Sequence, residues 1–324
     1  MPPKNPNVGI SLSFVCLLIL GFMPVISNSR PMEFGALSFA FFLSVWQLLF
    51  SLPMLVRELR SSDKGIFRAS LSTKLKQKTI ATILFTGAIF GLSTYVYVLA
   101  VEKAGAISAA IAIQAYPLFA ILWETLFLNR KKTALELVFT FLLLGALYYL
   151  GTNGTLRIAG FSYWFVFALG IPFLWSVAHV IIKEVLDKTP ITPSQVTFFR
   201  VLVSTVFLFA VLITVSGPGG IARDFLNFNF QKFAILMGLV YYFELINWFY
   251  AVRHIDVSVA SSITVPAPAL TAALAVFYLG ESLELYQVIT LCIVIISIYG
   301  LLFAGNRKID ATVAADSVHR SSHD

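Results

Sequence analysis

The chain has 324 residues, of which 58% are hydrophobic and 12% are charged, and its mean hydropathy is +0.86. These values exclude an ordinary soluble domain and indicate that lipid is the solvent for most of the chain. The net charge of +7 does not indicate nucleic-acid binding, because the Lys and Arg residues lie between apolar runs and are not gathered on one soluble face.

The chain contains about ten apolar runs, each close to the roughly 20 residues that a helix needs to cross a bilayer. The runs are continuous and lack the alternation of strands, so helices are expected. The predicted spans are 8–26, 34–56, 79–101, 106–128, 134–151, 160–182, 195–216, 233–252, 257–279 and 285–304. The first run also has the pattern of a secretory signal peptide, and its cleavage would leave nine helices.

The basic residues are shared unequally between alternate loops. With the N-terminus inside, the cytosolic side would hold most of them, namely Lys4, several within 57–78, Arg130, Lys131, Lys132, Lys183, Lys188, Arg253, Arg307 and Lys308. The other side would hold Arg30, Lys103, Arg157, Arg223 and Lys232. The positive-inside rule therefore predicts that both termini are cytosolic. We expect a multi-pass protein of a bacterial inner (plasma) membrane.

The sequence repeats itself across its two halves. The stretch 97–120 aligns without gaps with 248–271, and Pro117 falls on Pro268. Each half holds about five runs, and an odd number inverts the second half relative to the first, as in many secondary transporters. The sequence thus predicts an all-α membrane protein of about ten transmembrane helices in two inverted five-helix repeats, 1–151 and 152–305. The segment 306–324 is expected to be a disordered cytosolic tail, and its two histidines are not taken as a metal site.

Within the second repeat, FYAVRHIDVSVASSITVPAPALTAALAVFYLGESL resembles the signature of the EamA family of the drug/metabolite transporter superfamily. In that signature a helix with a central Pro closes with Gly-Glu, here Gly280 and Glu281. Asn129 and Arg130 replace this pair in the first half. The Arg that is typical of the head of the second helix is Arg200 in the second half, whereas a Gln stands near the matching place in the first half.

The resemblance covers nearly the whole chain and implies an alternating-access carrier that works without ATP, most often an exporter of amino acids, their relatives or other metabolites. No P-loop motif occurs, no cofactor is expected, and the driving force would be an ion or solute gradient. A proton- or solute-coupled importer of a metabolite or vitamin remains an alternative, as does a non-transporting membrane sensor or scaffold. An enzyme is not expected, because neither H-E-x-x-H nor G-x-S-x-G occurs.

Glu244, near the middle of the eighth run, is the strongest candidate for a substrate site, because ionisable side chains inside a membrane usually face inward and serve function. Helical spacing places Tyr241 and Trp248 on the same stripe, with Asn247 beside it. The carboxylate could bind a cationic amine with help from the aromatic rings, or it could carry a coupling proton. A structural Glu satisfied by a neighbouring helix is the third interpretation.

Further candidates for substrate binding come from the repeat-related stripe on the third run, a polar residue of the fourth run and a one-turn pair on the sixth run. They are Ser93, Tyr97, Gln114, Trp175 and His179. His179 could titrate near neutral pH or could be a packing residue that is hydrogen-bonded.

The candidates for coupling or gating include Glu244 and two prolines, Pro117 and Pro268, which could let their helices bend. Glu124 lies close to the cytosolic end of its run and is predicted to form an interfacial ion pair or gate. Arg200 lies near the cytosolic end of its run, where it could snorkel to the interface or bind a phosphate or carboxylate.

The expected partners are the lipid bilayer, a small-molecule substrate and, through coupling, a proton. Nucleic acid is not expected. The GAIFG stretch at 87–91 and further glycines in the apolar runs indicate close helix packing, with a homodimer as one alternative.

Overall fold

The computed structural model describes residues 5–31, 33–60, 64–67, 72–119, 122–123 and 133–321, with side chains at all of these positions except 258 and 305–321. The part of the chain so described contains helices and no strands. The helices are α1 (Pro6–Asn28), α2 (Ala36–Leu59), α3 (Thr73–Ala104), α4 (Ala106–Ile113), α5 (Ala134–Gly151), α6 (Tyr163–Lys188), α7 (Pro193–Leu226), α8 (Phe228–His254), α9 (Val257–Ile263), α10 (Ala267–Leu279) and α11 (Leu285–Ser321).

Nine helical spans within the described ranges are long and apolar enough to cross a membrane. One of them, Val259–Leu279, contains most of α9 together with α10. The remaining predicted span, 106–128, is represented by the shorter apolar helix Ala106–Phe119, and much of its second half lies outside the described residues. The chain is therefore an all-α, multi-pass membrane protein, which confirms the predicted fold class.

Five of the eleven helices described above begin at a polar side chain that accepts a hydrogen bond from a backbone N–H of the first turn. These N-cap residues are Asn5, Ser72, Thr133, Thr192 and Asn227. At Thr133 and Thr192 a Glu or Gln three residues later completes a capping box. At the other end of a helix, Gly280 terminates α10 with φ of 66°, a left-handed conformation that glycine adopts without strain.

Several helices continue beyond the spans that hydropathy predicts, and α3, α7 and α11 are examples. α3 begins at Thr73, before residue 79, and α7 reaches Leu226, past residue 216, across a non-helical Gly217 with φ of 65°. α11 continues to Ser321, well past residue 304. Hydropathy locates only the lipid-embedded part of a helix, and polar residues can extend the helix because its hydrogen bonds lie within its own backbone.

The two repeats are interleaved, because the most extensive helix contacts join a helix of one half to a helix of the other. α1 packs on α8 and α10, α2 on α7 and α8, α3 on α6 and α7, and α5 on α11. The Ser204 hydroxyl of α7 donates to the Gly87 carbonyl of α3 at 2.7 Å, so the predicted close packing at this glycine is present. At Gly238 of α8 an added Cβ would lie 2.8 Å from the Leu43 carbonyl oxygen of α2.

Candidate substrate-binding site

A cavity lies inside the bundle, beside the middle of α6 and α8. Its volume is about 50 Å³, which is room for a few water molecules but not for a whole amino acid. The lining residues are Leu20, Ile113, Gln114, Tyr116, Pro117, Trp175, His179, Glu244, Trp248, Ser261 and Thr264. They come from both halves of the chain, so the cavity lies between the two repeats.

Two broken helices, related by the repeat, contribute to the lining of this cavity. α4 ends at Ile113, and tight turns carry the chain through Gln114 to a new helical turn at 116–119. In the second half α9 ends at Ile263 and α10 begins at Ala267. Proline causes such breaks because it has no N–H to donate, and discontinuous helices that meet between repeats commonly form the substrate sites of transporters.

Glu244 is the acidic residue of the described cavity lining. It is 8% exposed, and its carboxylate has no hydrogen-bond partner among the described residues. Its backbone carbonyl accepts a weak hydrogen bond from the Cys16 thiol at 3.5 Å, which joins α8 to α1. This contact does not involve the carboxylate, which remains available to a ligand. A charged group that faces a cavity inside a membrane protein in this way can bind a cation or exchange a proton.

An aromatic wall, formed by Tyr116, Trp175, His179 and Trp248, lies beside this carboxylate. The His179 ring centroid is 5.2 Å from that of Trp248, 6.1 Å from that of Tyr116 and 6.2 Å from that of Trp175. Three buried polar atoms of the wall, Trp248 Nε1, Tyr116 Oη and His179 Nδ1, have no hydrogen-bond partner. Buried polar groups are normally paired, and the faces of such rings attract cations, so the wall is suited to a ligand that has both polar and cationic groups.

Three predicted site residues lie behind the lining and do not contact the cavity. Ser93 accepts a hydrogen bond of 3.2 Å from Trp175 Nε1. Tyr97 stacks on Trp175 with ring centroids 6.4 Å apart, and its ring is also 6.4 Å from that of Tyr241. Ser93 and Tyr97 therefore orient the aromatic wall from the first repeat, and Tyr241 supports it from the second.

Arg200 is buried in the bundle and does not snorkel to the interface. It is 2% exposed, and its guanidinium carbon lies 3.5 Å from the centroid of the Phe90 ring. Its Nε and Nη1 atoms have no hydrogen-bond partner, and it interacts electrostatically with Tyr241 and Glu244. The sequence shows only how far Arg200 lies from the end of its run, whereas the direction of its side chain depends on the packing of α7 against α3 and α8.

The remaining predicted residues are distributed differently. Asn247 donates to the Phe243 carbonyl of its own helix at 2.6 Å and does not line the cavity. Pro117 lines the cavity, and Pro268 is buried in α10 outside the lining. Glu124 lies outside the described residues.

The lining also includes residues that were not among the predicted site residues, notably Leu20, Tyr116, Ser261 and Thr264. Ser261 and Thr264 lie next to the prolines of the broken ninth run, and this proximity is a usable sequence signal. Leu20 carries no such signal, because a leucine that faces lipid has the same local sequence context. No cluster of His, Cys, Asp or Glu within the described ranges could hold a metal ion.

The end of the bundle that contains the C-terminus of α3 and the N-terminus of α4 is closed by polar contacts. The Glu281 carboxylate accepts hydrogen bonds from Asn28 and from the first backbone N–H groups of α4. Nearby, Arg30 forms a buried ion pair with Glu102. A second cavity of about 550 Å³ opens beside these contacts and is also lined by Glu281. Positive-inside topology would place this end outside the cell.

The fold and the central cavity define a multi-pass membrane protein built from two repeats around a small internal cavity. The family model of the EamA-like transporter family matches residues 7–152 and 162–303, one match for each half. The chain therefore belongs to the EamA-like transporter family, and the protein is a membrane transporter of small molecules.

The fold is shared with a solved structure whose title reads "Crystal structure of protein". That chain is 13% identical, the match covers 93% of this chain and 99% of that one, and the TM-score is 0.63. At this identity the likeness shows the fold alone. No curated protein matches the sequence.

Proposed function

We propose that this protein is a secondary active transporter that exports a small organic metabolite, such as an amino acid, an amine or a related compound, by alternating access. The central cavity is its substrate site. The observation that carries the proposal is the Glu244 carboxylate, which lines a cavity between the repeats and has no hydrogen-bond partner among the described residues.

The chemistry of the lining supports a substrate with an ammonium group. A charged side chain inside a membrane is costly, so its presence favours a role in binding or coupling over a role in packing. Trp175 and Trp248 add ring faces that attract a cation, and Gln114, Ser261 and Thr264 add polar groups to the lining. The apolar side chains Leu20 and Ile113 would contact the rest of the substrate.

Contacts at both ends of the bundle support alternating access. At one end Glu281 caps α4, as described above. At the opposite end the Asn5 backbone N–H donates to His254 Nδ1 at 3.1 Å, and the Lys183 ammonium donates to the Val252 carbonyl. Separate sets of contacts at the two ends allow one end to open while the other stays closed, as alternating access requires.

A proton is the second candidate ligand of Glu244. A carboxylate without a hydrogen-bond partner can be neutralised by a proton as well as by an ammonium group. If a proton from one side and a substrate from the other compete for Glu244, the proton gradient would drive export. An importer with the same site would need an ion or solute that binds together with the substrate, or one whose gradient points out of the cell.

For membrane orientation, we propose that both termini face the cytosol of a bacterial inner membrane, on the basis of the uneven distribution of basic residues. Single cysteines introduced at positions 157 and 188, in a background without Cys16 and Cys292, would test this. An impermeant maleimide added to intact cells should label position 157 and leave position 188 unlabelled, and the reverse pattern would contradict the orientation.

The function is tested by transport in proteoliposomes with a panel of labelled amino acids, amines and vitamins, with and without a pH gradient. Glu244→Gln should abolish flux of the substrate. Glu184→Gln is the matched control, because Glu184 is exposed and pairs with Lys188 on the surface of α6. Unchanged flux in Glu244→Gln would remove Glu244 from the site, and absence of flux across the whole panel would favour the sensor or scaffold alternative.

A further inference from the structure

Arg200 provides a second buried charge close to Glu244, and the two are not joined as an ion pair. Arg200 lies on α7 and Glu244 on α8, and they interact electrostatically although no direct contact between the charged ends is present. Arg200 is not part of the cavity lining, because the Phe90 ring covers its guanidinium at 3.5 Å and Phe249 lies at 6.0 Å. A substrate in the cavity would therefore experience the charge of Arg200 without touching it.

The cavity and its surroundings are close to electrically neutral. Apart from Glu244, the described lining contains one other side chain that can be charged near neutral pH in water, His179. This imidazole also interacts electrostatically with Arg200. His179 is 9% exposed and lies among the rings of Phe90 and Trp248, where an unpaired charge is costly, so we count its imidazole as uncharged. One negative and one positive charge then remain, and their sum is zero.

Charge balance in a low-dielectric interior determines which ligand is favoured. A monocation bound to Glu244 would leave the positive charge of Arg200 uncompensated, and uncompensated charge is expensive inside a membrane. A zwitterion adds no net charge. Its ammonium group can face Glu244 while its negative group points toward the field of Arg200, so the two protein charges orient the ligand as well as select it.

We infer that Arg200 is a specificity-determining residue, which acts through its field to make the cavity select ligands of zero net charge over monocations of the same shape. This inference rests on the proposed function, because it assigns the charge selectivity of the same site. It also gives the unpartnered Nε and Nη1 atoms of Arg200 a role, since a guanidinium fully satisfied by a neighbouring carboxylate would not leave its charge available to a ligand.

The test compares transport of leucine, phenylalanine and glutamine with that of the amide of each amino acid, in which the carboxylate is replaced and the net charge becomes +1. Wild-type protein should prefer the free amino acid. Arg200→Gln should lower the ratio of amino acid flux to amide flux at least about tenfold, whereas Arg200→Lys, which keeps the charge, should keep the ratio within about threefold. A purely structural role of Arg200 would reduce both fluxes together and leave the ratio unchanged.

A reciprocal variant keeps the inference testable if Arg200→Gln does not fold. Glu244→Gln leaves the positive charge alone, so it should shift relative binding toward the N-acetyl amino acids, which carry a single negative charge. Binding is read from competition and from thermal shift of the purified variant. Wild-type flux, together with an unchanged flux ratio in Arg200→Gln or unchanged relative binding of N-acetyl amino acids in Glu244→Gln, would overturn the inference and leave the proposed function standing. Absence of flux for every compound in the wild type would overturn both.

Discussion

The Glu281 carboxylate accepts a hydrogen bond of 3.0 Å from the backbone N–H of Ala106, so the loop after α10 in the second repeat caps the first turn of α4 in the first repeat. The same carboxylate accepts from the side chain of Asn28 at the end of α1. The Gly-Glu pair of the family resemblance thus has a structural role here. Gly280 ends α10, and the Glu281 side chain caps the start of α4 in the opposite half.

Glu281→Gln should loosen this end of the bundle. The substitution removes a negative charge from the N-terminus of α4, where it interacts favourably with the helix dipole, and the expected loss is about 1 kcal/mol. Hydrogen–deuterium exchange of the peptide that begins at Ala106 should become faster, and the melting temperature in detergent should fall. Glu284→Gln, in the same loop but exposed, is the control, and an equal effect there would contradict the capping role.

Arg30 and Glu102 form an ion pair in which the Arg30 side chain is fully buried. Arg30 also donates to the Ser27 carbonyl at 2.8 Å. Arg30→Gln should reduce the free energy of unfolding by about 2 kcal/mol, because it removes a buried charge-assisted hydrogen bond to Glu102 and the donor to the Ser27 carbonyl, whereas Lys103 still pairs with Glu102. Lys103→Gln should cost less than about 1 kcal/mol, because Lys103 is 42% exposed although it also contacts Glu102. Chemical unfolding in mixed micelles measures both values, and equal losses would be inconsistent with the difference in burial.

The crossing of α2 and α8 depends on the absence of a side chain at Gly238. In Gly238→Ala the new methyl group would lie 2.7 Å from Trp46 Cβ and 2.8 Å from the Leu43 carbonyl oxygen, so the two helices must separate. The expected loss of stability is about 1–3 kcal/mol. Gly145→Ala is the matched control, since nothing lies within 4 Å of the added Cβ, and it should be neutral or stabilising by up to about 1 kcal/mol. Thermal unfolding that ranks the two variants in the opposite order would contradict this account of the crossing.

Trp248 is expected to contribute to substrate affinity through its ring face. Trp248→Leu should raise the substrate concentration for half-maximal flux about tenfold, which corresponds to a desolvated cation–π contact of about 1–2 kcal/mol. Trp248→Phe should restore part of the affinity because a phenyl ring keeps an attractive face. Trp164→Leu serves as control, since Trp164 is 38% exposed near the start of α6 and does not line the cavity. An aliphatic variant at position 248 with wild-type affinity would contradict the role of the ring.

Sequence periodicity and self-similarity explain which parts of this architecture can be predicted. Continuous apolar runs locate the helices because only a helix can satisfy its backbone in lipid, and the alignment of Pro117 with Pro268 identifies the two runs that are broken in the structure. The stripe that contains Glu244 and Trp248 can be read from helical spacing, and both residues line the cavity.

Other features depend on packing, and no local pattern encodes packing. Asn247 lies at the edge of the Glu244 stripe, and its amide bonds to its own backbone and does not reach the cavity. The position of Arg200 along its helix can be predicted, but the direction in which its side chain points cannot. That direction depends on the ring of Phe90, which comes from a distant part of the chain. The extension of α3 back to Thr73 is invisible to hydropathy, since the residues involved are polar.

Arg200 and Glu244 both belong to the second repeat, on the adjacent helices α7 and α8, whereas Phe90 belongs to the first. If the repeats rock against each other, as the proposed alternating access requires, the two opposite charges move together. Moving one elementary charge through 100 mV involves about 2.3 kcal/mol of electrical work, but a pair of opposite charges that moves as a unit involves almost none. The empty binding site should therefore reorient from one side of the membrane to the other at a rate that does not depend on voltage. Any current or voltage dependence of transport would then come from the substrate and its coupling ion.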